Sequence, residues 1–176
     1  MTKLENTILY ILTRTKERAK SNLSKFELFK YLYLLETESY KFVGKSFFSC
    51  SISFVRYENG PISIDIYNAL NALENKYISL KQEKRSNYDF PRHCISLIKK
   101  VPRIDLSDSE KLFINSIIES YVSLSIKELK KVVYATEPMA EIVKEEKKNK
   151  GKLAKGEKIN FDCILLDNDV VDLIAS

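Results

Sequence analysis

The stretch that leaves this chain least freedom is Asn59-Gly60-Pro61. Asn and Gly tolerate positive φ, and Pro fixes its own φ and restricts the residue before it. Upstream, Ile52 and Phe54 alternate with Ser51 and Ser53, the period-2 pattern of an extended segment running to Tyr57. Downstream, Ser63 reads as a helix N-cap with Asp65 in the first turn, and Ile66, Leu70 and Leu73 form one apolar stripe. The whole chain holds four glycines and four prolines, so two of them side by side mark a backbone shape the fold requires. The expectation is a corner where extended chain becomes helix, shaped by Gly60 and Pro61.

Helices surround that corner. Residues 3–20 place Leu4, Ile8, Ile11 and Leu12 on one face and end in Arg14, Lys16, Arg18 and Lys20, which suit the negative end of a helix dipole. Ser24-Lys25-Phe26-Glu27 has capping-box spacing, as do Ser107–Glu110 and Ser125–Glu128, so each announces a helix. After the first of these, Phe26, Leu28, Phe29, Tyr31, Leu32, Tyr33 and Leu35 make a helix apolar around its circumference, the pattern of a central helix. Tyr77–Leu80 and His93–Ile98 read as paired strands flanking a charged loop, which together with the helix near 64–75 is the order of a winged helix. Thr136-Glu137-Pro138-Met139 stops or redirects the helix that follows Ser125. The expected fold is α+β and mainly helical, a single domain of about six helices with a small antiparallel sheet or hairpin. Its main body covers 1–143. A lysine-rich flexible loop follows at 144–158, and a segment at 159–176 packs back on the same domain.

The residue census argues against most chemistry. The net charge of +5 permits an acidic partner or nucleic acid, but much of it lies in the lysine-rich run. No targeting signal or membrane-spanning run is apparent, and no membrane partner is expected. The three cysteines Cys50, Cys94 and Cys163 are far apart and read as reduced thiols of a cytoplasmic protein. His93 is the single histidine, and in a strand its side chain and that of Cys94 point to opposite faces, which opposes both a metal site and a thiol–imidazole pair. Gly-rich phosphate loops and nucleophile-elbow motifs are missing. The expectation is therefore no enzyme, no cofactor and no metal. A winged-helix DNA-binding regulator using residues 64–98 is the alternative. It would use Asn68, Asn71, Lys81, Lys84 and Arg85, against the opposing charges of Asp65 and Glu74.

Three segments together resemble a known pattern: Leu28–Leu35, then Tyr57-Glu58-Asn59-Gly60-Pro61-Ile62-Ser63, then Ile66-Tyr67-Asn68-Ala69-Leu70. They are similar to the Panacea family, the SocA-like antitoxin domain of bacterial and phage toxin–antitoxin systems. In that family a Lys-Leu-rich helix is followed by a Tyr/Phe-x-Gly-Pro turn and a Tyr-containing helix. A later leucine-containing helix ends in His, with Pro-Trp a few residues on. Leu129, Tyr134, Pro138 and Met139 stand in those later places, so Tyr134 replaces the His and Met139 the Trp. The resemblance spans roughly Leu23–Met139 and implies a cytoplasmic protein that binds and neutralises a toxin encoded beside it. A variation implied by the family is an adaptor that presents the toxin to a protease. Because Tyr and Arg are favoured interface anchors, the expected partner contacts are Arg56, Tyr57, Asn59 and Tyr67, with Tyr134 and Glu137 as a second group. Gly60, Pro61 and Pro138 are expected to set shape.

Overall fold

The computed structural model describes residues 1–19, 22–48, 52–84 and 92–165. In chain order these form α1 (Lys3–Ala19), β1 (Leu23–Ser24), α2 (Lys25–Val43), β2 (Val55–Tyr57), β3 (Gly60–Ile62), α3 (Ile64–Leu73), β4 (Ile78–Glu83), β5 (Arg92–Leu97), α4 (Asp108–Tyr121), α5 (Ile126–Ala135) and α6 (Glu137–Lys148). The result is the mainly helical α+β architecture expected, with six helices and two small antiparallel sheets. Among the described residues no helix is long and apolar enough to cross a membrane.

Helix α2 is the axis of the molecule. Ser24 accepts a hydrogen bond from the Glu27 amide while the Glu27 carboxylate accepts one from the Ser24 amide, a complete capping box. Gly44 ends the helix in the left-handed region, at φ 67°, with its amide donating to Tyr40 O. Between these ends every residue from Leu28 to Thr37 is buried, as an all-round apolar helix requires. It shares one hydrophobic core with Ile8 and Leu9 of α1, Ile66 and Leu70 of α3, Ile114 and Ile118 of α4, Leu129 and Val133 of α5, and Met139 of α6. Tyr33 lies at the centre, its ring edge-on to Phe54 at 5.5 Å and its hydroxyl 2.8 Å from Thr136 Oγ1. Phe161, beyond α6, packs 5.6 Å from Tyr33 and stacks on Tyr40, which brings the chain near residue 161 to the core; the rest of the expected C-terminal segment, 166–176, lies outside the described residues.

The strands β4 and β5 pair antiparallel as expected, with Ile78 opposite Leu97 through Glu83 opposite Arg92. The two-residue strand β1 adds to the other edge of β5, giving the order β1-β5-β4. Nothing in Leu23-Ser24 distinguishes it from the helix cap that follows. Cys94 is buried and His93 exposed, on opposite faces of β5. The other two capping boxes, at Ser107 and Ser125, are both formed. Pro138 sits in the first turn of α6, where its missing N–H costs nothing.

At Asn59-Gly60-Pro61 the structure departs from a simple corner. β2 and β3 form a hairpin with Val55 opposite Ile62, Arg56 opposite Pro61 and Tyr57 opposite Gly60, so the chain reverses at Glu58-Asn59. Gly60 alone in this turn takes positive φ, at 112°. Gly60-Pro61-Ile62 is the returning strand, and α3 starts only after it. Proline is tolerated there for a definite reason. The Arg56 amide donates to Glu157 O and its carbonyl accepts from Gly156 N, both on the side of β2 away from β3. Arg56 and Pro61 are therefore a pair that exchanges no backbone hydrogen bond, and the absent N–H of Pro61 is not missed.

That outer lane on β2 is built from the lysine-rich run. Lys144–Lys148 complete α6, and the chain then returns along β2, with Val55 bridged to Lys158 and the Ile159 amide donating to Phe54 O. Ser63 occupies the N-cap of α3, but its hydroxyl makes no bond to a helix amide and lies 3.5 Å from Asp65.

Candidate functional site

The hairpin turn rests on a lysine. Lys30 is the one cation within the fully buried stretch of α2, and its side chain is 1% exposed. Its Nζ lies 3.4 Å from the centre of the Phe26 ring, one helical turn back, and donates to the Asn59 carbonyl at 3.0 Å. Among the described residues no carboxylate pairs with it. Burial, and then the charges of Lys130 and Arg56, bring its pKa down from 10.5 to about 7. Gly60 is fitted to this lysine, because a Cβ there would stand 3.3 Å from Lys30 Nζ and 3.4 Å from the Tyr134 ring.

Arg56 forms the second layer. It is 4% exposed, and its Nε and Nη2 donate to the two oxygens of Glu146 at 2.9 and 3.2 Å. Nη1 donates to the Tyr57 carbonyl, and the guanidinium lies 5.1 Å from the centre of the Tyr134 ring. Burial pushes the Glu146 carboxyl up, but the hydrogen bonds from Arg56 and the Ala154 amide outweigh it and hold it below the usual carboxylate range. The pair is bidentate and electrically self-contained.

Around the rim, Lys130 of α5 lies 5.4 Å from the Tyr134 ring and donates to Asn59 Oδ1 at 3.4 Å. Lys155 covers the Tyr57 ring at 4.4 Å and pairs with Glu58 at 2.9 Å. The cluster thus holds four cations, Lys30, Arg56, Lys130 and Lys155, against two carboxylates, Glu58 and Glu146.

Arg56, Tyr57, Asn59 and Tyr134 meet here, although they come from β2, the turn and α5. They differ in accessibility: Arg56 supports the turn from below, whereas Asn59 is exposed and Tyr57 is 37% exposed. Tyr67 of α3 adjoins them, packed on Phe29 at 4.9 Å and under Lys25 at 4.8 Å. Its phenol is pushed up by burial and by the nearness of Tyr57. Glu137 lies elsewhere, accepting a hydrogen bond from the Leu165 amide and so fixing the segment after Phe161. Pro61 and Pro138 are buried and set shape.

The residues named for DNA are spread over α3 and β4. Asn68 and Asn71 are exposed on α3, beside Ile64, Asp65 and Ala72, and Lys81 and Lys84 are exposed at the end of the β4 segment. Arg85 lies outside the described residues. With Asp65 on it and no lysine or arginine within Ile64–Leu73, the outer face of α3 lacks the positive field that phosphate binding needs. An open cleft of about 510 Å³ between α1 and α3, lined by Thr2, Lys3, Phe48, Ile52, Asn68 and Ala72 among others, shares no residue with the turn cluster.

Lys30, Lys130, Glu146 and Lys155 are the site residues that sequence reasoning missed. Lys30 carried a signal, being a single charge inside Leu28-Phe29-Lys30-Tyr31-Leu32. The other three lie on polar, lysine- or glutamate-rich segments where nothing local separates them from solvated surface.

The described residues thus form a mainly helical α+β domain with an exposed turn on a buried, charged support. The pattern defining the antitoxin SocA-like, Panacea domain matches residues 28–138, more than half of the chain, and the protein belongs to that family. The matched span includes Lys30, the hairpin turn, Lys130 and Tyr134, and stops before Glu146 and Lys155. No curated protein shows a significant match to the chain.

Proposed function

We propose that this protein is a non-catalytic, cytoplasmic antitoxin that neutralises a toxin encoded beside it by direct binding through the surface around the Asn59 turn. The observation that carries the reading is family membership over a span that contains the turn, its lysine support and Tyr134. Half-exposed Tyr57, exposed Asn59 and neighbouring Tyr67 supply the amphipathic contact groups such binding uses. Presentation of a bound toxin to a protease would use the same surface for capture, with the rest of the molecule free to meet the protease.

Co-expression with the neighbouring open reading frame tests this. The neighbour alone should arrest growth, and this protein should restore it. Tyr57→Ala should weaken the complex by about tenfold to a hundredfold, the range of an interface hot spot, with the melting temperature little changed. A neighbour that is harmless alone, or stays toxic beside this protein, ends the antitoxin reading. Degradation of the toxin only when both this protein and an active protease are present would identify the adaptor variant.

A further inference from the structure

Two of the four cations at the turn are spoken for, Arg56 by Glu146 and Lys155 by Glu58. The other two, Lys30 and Lys130, have no carboxylate among the described residues. Both are instead bound to one neutral residue: the Asn59 carbonyl accepts from Lys30 at 3.0 Å, and the Asn59 side-chain oxygen accepts from Lys130 at 3.4 Å. Asn59 thus meets both ammonium groups with neutral oxygens, its backbone carbonyl on Lys30 and its side-chain oxygen on Lys130, the second of these being the place a carboxylate could take. Buried charges in proteins are ordinarily paired, because an unpaired one keeps its desolvation cost without a Coulombic return. Lys30, at 1% exposure, has only the Asn59 carbonyl and the Phe26 ring for its ammonium, and Gly60 preserves the space that group occupies.

We propose that the Asn59 turn is an anion-recognition site that takes an aspartate or glutamate side chain of the protein partner. This rests on the antitoxin reading for the identity of the partner, though not for the existence of the site. The acid displaces the Asn59 carboxamide, whose contact with Lys130 is long and belongs to an exposed side chain. It then pairs with the Lys130 ammonium over the Tyr134 ring. Lys30 remains below, held by the Asn59 carbonyl, and adds its charge through a short path of low dielectric, where it counts for more than a surface lysine. Exposed Tyr57, two residues before Asn59, supplies apolar contact beside the acid.

Three variants test it together. Lys130→Gln removes the contact cation, Lys130→Arg restores it, and Asn59→Asp supplies the missing carboxylate from within the chain. The full-length protein alone is first titrated with succinate at constant ionic strength while the Asn59 and Gly60 amides are followed by NMR. The wild type and Lys130→Arg should show saturable shifts, and Lys130→Gln and Asn59→Asp should show none. Asn59→Asp should also raise the melting temperature by about 2–4 °C. No saturable shift in the wild type, or an unchanged one in Lys130→Gln, overturns the anion site whatever the neighbouring gene encodes. Affinity for the neighbour-encoded protein is then measured at about 50 and about 300 mM salt, across which screening deepens. Lys130→Gln and Asn59→Asp should each weaken binding about tenfold at low salt and flatten its salt dependence. If succinate binds but these variants hold the neighbour as tightly as the wild type, the partner's acid does not sit at this turn and the proposal fails. If the wild type does not bind the neighbour at all, it is the antitoxin reading that fails, and the succinate result still decides the site.

Discussion

Gly60 meets two demands that no other residue meets together. Its φ of 112° lies where a side chain is strained, and its missing Cβ leaves room for Lys30 Nζ and the Tyr134 ring. Gly151 separates the two demands, since its φ of 75° is equally left-handed but nothing lies within 4 Å of a Cβ built there. Gly151→Ala should therefore cost about 1 kcal/mol of stability, the backbone share alone. Gly60→Ala should cost about 2–4 kcal/mol, because strain and a displaced buried ammonium add. Urea unfolding of the two variants measures the difference, and equal losses would show that Lys30 yields freely. The sequence made the special backbone at this point legible, since adjacent Gly and Pro are scarce in the chain. It did not make the position of the reversal legible. Whether Pro61 faces a hydrogen-bonded or a non-bonded partner depends on where the Arg56 amide points, and that is set by Glu157, a hundred residues away in sequence.

At the scale of elements, the three Ser-x-x-Glu caps, the circumferentially apolar α2 and the β4–β5 pair were all readable, because each is specified by residues within one or two turns of itself. The connection between β2 and α6 was not. Glu145 and Glu146 look alike in sequence, yet Glu146 is bound by two of the three guanidinium nitrogens of Arg56 and by the Ala154 amide, whereas Glu145 is exposed and pairs with Lys148 three residues on. Glu146→Gln should lose about 3–5 kcal/mol, the usual cost of leaving a buried charge unpaired. Glu145→Gln should lose under about 0.5 kcal/mol. Chemical denaturation resolves the two, and a small loss for Glu146→Gln would mean that water or another acid reaches Arg56. The pH sign follows from the same geometry. Glu146 titrates lower in the folded chain than in the unfolded one, so its contribution is present above the unfolded carboxylate pKa and fades as pH falls through the folded value.

Over the whole molecule the unpaired cation has a consequence opposite to that of a paired acid. Lys30 has a folded pKa of about 7, below the 10.5 of the unfolded chain, so between those values the unfolded state binds more protons. Stability should rise with pH above about 7, and the full cost of burying the ammonium should be present below that. The rise has an upper bound, since burial pushes the thiols of Cys94 and Cys163 up to about 11, and unfolding releases those protons from about pH 9. The window that isolates Lys30 is thus from about pH 7 to about pH 8.5. Lys30→Met keeps the length of the side chain and its contact with Phe26 while removing the charge. It should stabilise the protein by about 1–4 kcal/mol near pH 6, where a buried ion is replaced by an apolar group of similar shape, and flatten the rise across the window. Urea unfolding of both proteins at several pH values measures this. An unchanged slope would mean that Lys30 finds its counter-charge within the chain, and would remove the reason for an anion at the turn. A more stable Lys30→Met that also loses affinity for the neighbour-encoded protein would mark the opposite case, in which the domain retains a destabilising charge at its centre because binding requires it.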